Sequence, residues 1–224
     1  MGFYYNRYIR ISLFNLLLVA SIGSILRYKI LFPLPFVDQK HLLHGHSHFA
    51  FAGWVSQTIM VLLIAYLSKQ KQSDEFISYK WILIANLFTA YGMLISFPIQ
   101  GYGVASILFS TLSVFTFYFF SVKYWKDLNK LTQQTIAHYW FKAALLLGAF
   151  SSVGTFGLAF MMANKIIHQN WYLAAVYFYL HFQYNGWFFF ACMGLFHSLL
   201  PSEILIKKDL LKIFGLFTFA VVPA

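Results

Sequence analysis

The chain is poor in the residues that soluble domains depend on. Only 10% of its 224 residues are charged, against about 25% in an ordinary soluble domain. Asp and Glu number six in all, and every one of them, from Asp38 to Asp209, lies between apolar runs. An ion or proton path built on carboxylates at membrane depth is therefore unsupported. There is a single cysteine, Cys192, which excludes an internal disulfide and any CxxC metal or redox pair. No repeat, low-complexity tract or spacer long enough for a soluble domain is visible.

Apolar sequence fills the space. The composition is 60% apolar and 21% aromatic, with a mean hydropathy of +0.67. A helix crossing the ~30 Å hydrocarbon core needs about 20 such residues. Six segments qualify, at 9–31, 44–67, 80–98, 103–122, 140–162 and 172–200, and a seventh begins near 209. The pattern predicts an all-α, polytopic transmembrane bundle, one domain over 1–224, with six complete helices and the start of a seventh. The small residues at 20–24 admit a signal peptide, but apolar character continues to Phe32, too far for a typical signal core. The terminal run IFGLFTFAVVPA is too short to cross, so further helices are expected to be encoded beyond residue 224 or in an adjacent reading frame.

The net charge of +10 could suggest nucleic acid. Its placement argues for topology instead. With the N-terminus in the cytoplasm, twelve basic residues fall inside: Arg7, Arg10, Lys69, Lys71, Lys80, Lys123, Lys126, Lys130, Lys142, Lys207, Lys208 and Lys212. Only Arg27, Lys29, Lys40 and Lys165 fall outside. This positive-inside bias predicts a bacterial inner-membrane protein with a cytoplasmic N-terminus, whose partner is the lipid bilayer and not a nucleic acid. Ser106, Ser110 and Ser113 on helix four, and Ala144, Gly148 and Ser152 on helix five, form small-residue stripes that fit close helix packing.

The stretch KHLLHGHSHFAFAGWV (40–55) holds four of the eight histidines within eight residues, at the outer mouth of helix two. At 100° per residue His41, His44 and His48 share one face, continuing into Phe51 and Val55, and His46 points nearly opposite. Neutral imidazole is a common ligand for iron, copper and zinc; a polar interfacial cap is the plainer reading. His181 is the second anomaly, roughly 13 Å down helix six at 1.5 Å per residue. It shares a face with Tyr177, Tyr184 and Asn185. An ionisable residue at that depth suggests a functional site, with an interhelical hydrogen bond as the alternative. His138, His168 and His197 lie in connections or near a helix end and are expected to be structural.

A histidine at the outer end of helix two and another partway down helix six resembles subunit I of the haem–copper oxidases. His44-Gly45 resembles the family's His-Gly, and FAFAGW (49–54) is similar to the FAFGGN of the cbb-type branch. That branch has Gly thirteen and Pro twenty residues after its helix-six histidine; Gly194 and Pro201 stand so relative to His181. The nitric oxide reductase pattern H-x-x-V-E-G is echoed by residues 181–186, with Asn185 in place of Glu. There are departures. His41 stands where these branches have Arg, and alignment on FAFAG puts the expected ligand at Leu43, so that His44, His46 and His48 compete for the role. The H-P-E-V-Y motif of the A-type oxidases is absent.

The resemblance implies a b-type haem with His44 as axial ligand, His41 and His48 beside it, and Phe49 and Phe51 packed near the macrocycle. It implies copper or non-haem iron at His181, and reduction of O₂ or NO with electrons from a cytochrome or quinol, alongside other oxidase subunits. The family's remaining ligands, a His-His pair and an H-x-H, have no counterpart within 224 residues, so no catalytic residue is assigned and turnover by this chain alone is not expected. Two alternatives stay open: a non-enzymatic haem- or metal-binding sensor or transporter, and a histidine-box di-iron membrane enzyme.

Overall fold

The computed structural model describes residues 3–200 and 207–222, and among these there are helices and turns but no strand. The helices are α1 (Phe3–Leu31), α2 (Gln39–Phe49), α3 (Gln57–Lys71), α4 (Phe76–Gln100), α5 (Val104–Asn129), α6 (Ile136–Ala163), α7 (Gln169–His181), α8 (Phe189–Leu199) and α9 (Lys207–Ala220). Two π-helical turns, π1 (Ala50–Ser56) and π2 (Phe182–Phe188), join α2 to α3 and α7 to α8 into continuous rods. The all-α membrane bundle expected from the apolar runs is therefore what the chain forms.

Five helical rods are long and apolar enough to cross a membrane: Tyr4–Leu31, Gln39–Lys71, Phe76–Gln100, Val104–Asn129 and Ile136–Ala163. Each overruns the apolar run that predicted it, because capping and interfacial polar residues extend the helix past the hydrocarbon edge. Asp38, for instance, starts α2 five residues ahead of the expected position by accepting a hydrogen bond from the His41 N–H at 2.7 Å. The α7–π2–α8 rod, Gln169–Leu199, covers the sixth run expected at 172–200 and has the length to span. It falls below the other five in apolarity because His181, Gln183, Asn185 and His197 interrupt it.

The chain divides into two compact units, Met1–Phe120 and Ser121–Ala224. In the first, α1 and the α2–π1–α3 rod form an antiparallel hairpin, and α4 packs along both α2 and α3. Two glycines make room for close contacts. A Cβ on Gly45 would lie 3.0 Å from the Pro98 ring of α4, so glycine is what permits α2 and α4 to cross there. Phe49, fully buried, lies over Gly53 and edge-on to Tyr91, inside a cluster with Val19 and Ala90.

In the second unit α6 is the central helix, packed against α7, π2, α8 and α9. Its Ala144–Gly148–Ser152 stripe is buried, as expected for close packing. Gly154 faces the Ala175 carbonyl of α7 so closely that no Cβ fits. Trp140, wholly buried, anchors an aromatic core with Phe190, Phe214 and Phe217, and His197 stacks on it at 5.3 Å with its Nδ1–H donating to the Met193 carbonyl at 2.7 Å.

Candidate functional site

The imidazoles of α2 divide between two neighbours. His44 and His48 face α4: His48 stacks on Phe97 at 4.4 Å and 10°, and His44 meets the edge of Tyr102 at 4.7 Å. Tyr102 in turn stands perpendicular to Phe97 at 5.2 Å. His46 faces α1, where its Cε1 is 3.3 Å from the position a Gly23 Cβ would occupy. The opposed directions of His44/His48 and His46 follow from the helical period. π1 begins at Ala50 and changes the residues per turn, so the α-helical period that aligns His44 and His48 ends before Phe51 and Val55. Phe49 likewise sits in the core between α1 and α4, against Tyr91 and Gly53, and not beside His44.

The α4–α5 turn closes over this stripe. Gly101 has φ +57° and ψ −133°, a conformation open to glycine, and a Cβ there would stand 2.5 Å from His41 Nε2. Tyr102 follows directly and meets the edge of His44 while staying partly exposed; partial desolvation pushes its phenol above the ordinary value of 10.0. At the other side Asp38 caps α2, its carboxylate held below 3.8 chiefly by the His41 N–H hydrogen bond. Sequence reasoning did not find Gly101, Tyr102 and Phe97. The signal available was the tight PIQGYG turn; its position over the histidines required the α2–α4 crossing.

His44 Nε2 is buried and has no hydrogen-bond partner, and the same is true of His46 Nδ1. A buried imidazole nitrogen with an uncommitted lone pair fits an axial ligand for iron, so the His44 position suits the haem that the resemblance implies. The fit is partial. Low-spin haem takes a ligand on each face, whereas His41 and His48 lie on the same side of the same helix as His44. Among the described residues no three His, Cys, Asp or Glu side chains are close enough to hold a metal ion together.

His181 is differently placed. Its Nε2–H donates to the Val221 carbonyl beyond α9 at 2.9 Å, and its Nδ1 accepts from the Asn185 amide at 3.3 Å. Both ring nitrogens are engaged, and the π2 turn starts at the next residue. Gln183, on π2, donates to Ser151 Oγ of α6 at 2.7 Å. His168 caps α7 by accepting from the Trp171 N–H, and His138 Nδ1 lies within hydrogen-bond reach of the Thr135 N–H and Gln134 Oε1 at the start of α6. These two take the structural roles expected of them.

A second polar feature lies inside the first unit. Two asparagines of neighbouring helices donate to backbone carbonyls of the wider π1 turn. Asn15 of α1 donates to the Gly53 carbonyl and accepts from the Tyr91 hydroxyl at 2.6 Å. Asn86 of α4 donates to the Ala52 carbonyl and to Gln57 Oε1, both at 2.9 Å. Asn15, Asn86 and Gln57 are at most 2% exposed. Each is visible in the sequence as an amide within an apolar run, but only the π turn explains the pair. No family model, curated protein or solved structure matches the chain.

Proposed function

We propose that this multi-pass membrane protein is a haem-binding respiratory protein of the kind its resemblance to haem–copper oxidase subunit I implies, with His44 as an axial ligand of a b-type haem. The observation that carries the reading is the buried, unpartnered His44 Nε2 at the mouth of the second span, with His48 one turn on and Phe97 and Tyr102 walling the site. The chain's own residues hold and orient the ligand. Asp38 starts the helix, Gly45 admits the close α4 crossing, and Phe97 fixes the His48 ring. The haem, when bound, would supply one-electron redox chemistry, with the Asp38 carboxylate at the start of the same helix. Electrons from a cytochrome or quinol and delivery to O₂ or NO belong to the intact assembly, since the described residues bring together too few ligands for both centres. The charge asymmetry supports an inner-membrane location with the N-terminus cytoplasmic.

The reduced-minus-oxidised spectrum of the purified protein is the test. His44→Ala should abolish the sharp α-band and His46→Ala should retain it. A band that survives His44→Ala, or is lost only with His46→Ala, overturns the assignment.

The hydrogen bonds at His181 favour a second reading for that residue. Copper or non-haem iron at His181 would require release of either the Val221 carbonyl or the Asn185 amide. A helix-tying role fits the geometry as it stands, and with it the chain is a haem or metal binder, as in a sensor or transporter. The histidine-box di-iron alternative needs several imidazoles converging from separate helices, and the described residues offer no such group.

A further inference from the structure

Two buried polar atoms of the first unit, Ser12 Oγ and Gln57 Nε2, have no hydrogen-bond partner, although the residues are 2% and 0% exposed. The Gln57 amide cannot be reversed to remove the problem. The Ala52 carbonyl accepts only, so Asn86 must present its Nδ2 to it. The same Nδ2 meets Gln57, which must therefore present its oxygen. Gln57 Nε2 is left pointing elsewhere with both hydrogens free. Ser12 is equally distinctive. Ser21 and Ser24 on the same helix are exposed and donate to carbonyls four residues back, Leu17 and Ala20, the usual refuge of serine in an apolar helix. Ser12 is buried and does not.

Helix register puts Ser12 and Gln57 at one level of the bundle. Asn15 touches the Gly53 carbonyl, which fixes the register between α1 and the antiparallel α2–π1–α3 rod. Ser12 is one turn before Asn15 and Gln57 one turn after Gly53; on antiparallel neighbours those steps run in the same direction. Asn86 closes the far side through Gln57 Oε1, and Thr89, also buried, donates its hydroxyl to the Asn86 carbonyl.

We infer that α1, α3 and α4 enclose a binding site for water at bilayer depth, in which a water molecule accepts from Gln57 Nε2 and exchanges a hydrogen bond with Ser12 Oγ. A site with two or more convergent polar groups holds water stably, whereas an apolar cavity stays dry. The water links Ser12 to the Asn86–Gln57 pair, one turn from the Tyr91–Asn15–Gly53 chain, so polar groups from α1, α3 and α4 gather around π1. This inference does not depend on the haem reading.

The full chain in lipid bilayers, labelled with ¹⁵N at the glutamine side chains, tests it by solid-state NMR. Polarisation transferred from water protons at short mixing times should reach Gln57 Nε2, and Ser12→Ala should remove most of that signal. No transfer to Gln57 in the unmutated protein overturns the site. Thermal unfolding gives a second readout of opposite sign for the two cases. If Ser12 is bridged by water, Ser12→Ala lowers Tm; if its hydroxyl is simply an unsatisfied group, alanine removes a penalty and raises it. Ser21→Ala, at an exposed serine on the same helix, should change neither measurement, and a raised Tm for Ser12→Ala overturns the proposal.

Discussion

Replacing Asn86 with leucine keeps the side-chain volume and removes one amide that serves two acceptors. The Ala52 carbonyl and Gln57 Oε1 each lose a donor at 2.9 Å, in a part of the bundle where Asn86 itself is 2% exposed. A buried acceptor left without a partner costs about 1–3 kcal/mol in water-soluble proteins, so two would give roughly 2–6. In membranes the measured average per side-chain hydrogen bond is nearer 0.6 kcal/mol, because the unfolded helices find other partners. The two acceptors differ in this respect. Gln57 can rotate toward another donor, but the Ala52 carbonyl belongs to a π turn and is held in place by the rod. We therefore expect a loss of about 1.5–3 kcal/mol, above the membrane average for two bonds and below the aqueous sum. Reversible unfolding in mixed micelles titrated with SDS measures it. Adding Gln57→Leu to Asn86→Leu should cost less than the two single changes summed, since one orphaned acceptor disappears with its partner. A loss under about 0.5 kcal/mol for Asn86→Leu, the scale of a neutral surface change, would refute the claim that Asn86 satisfies π1.

Gly101→Ala combines a positive φ with a Cβ 2.5 Å from His41 Nε2 and should cost about 1–3 kcal/mol while shifting the His41 ring resonances; Gly215→Ala, which meets nothing within 4 Å, should not destabilise. The depressed Asp38 carboxylate stabilises the start of α2 fully above its unfolded pKa, and that contribution is lost as pH falls through the lower folded value. Amide exchange at His41, corrected for intrinsic rate, should therefore stay slow at neutral pH and accelerate below about pH 4; Asp38→Ala should exchange fast throughout, and a flat profile in the unmutated protein would contradict the cap. His181→Ala should leave any bound copper or iron unchanged and speed exchange in the last turn of α9; loss of metal with α9 unaffected would restore His181 as a ligand.

The helices were legible in the sequence because lipid demands long apolar runs, and the division of His44 and His48 from His46 was legible because it needs only the helical period. What followed His48 was not. A π turn adds a residue without any compositional signature, so the α-helical period does not carry past Phe49, and Phe49 takes its place from packing against Gly53 that no motif announces. Tyr102 and Gly101 were hidden for a different reason. They lie more than fifty residues from the imidazoles they cover, and only the Gly45–Pro98 crossing brings them there. Asn15 and Asn86 stand as polar exceptions in apolar segments, but the carbonyls they serve lie 38 and 34 residues away and are brought to them only by the fold.

The opened turn at Ala50–Ser56 also bears on how the protein is assembled. A transmembrane helix is ordinarily self-sufficient, since each carbonyl finds its N–H within the segment and the segment can enter the bilayer by itself. The Gln39–Lys71 rod takes added donors from outside itself. Its Gly53 and Ala52 carbonyls find their donors on Asn15 and Asn86, one supplied by the helix before it in the chain and the other by the helix after. During synthesis α1 is available when this rod enters the membrane and α4 is not. The rod thus gains its side-chain donors in two instalments, the first from the helix made before it and the second from the helix made after.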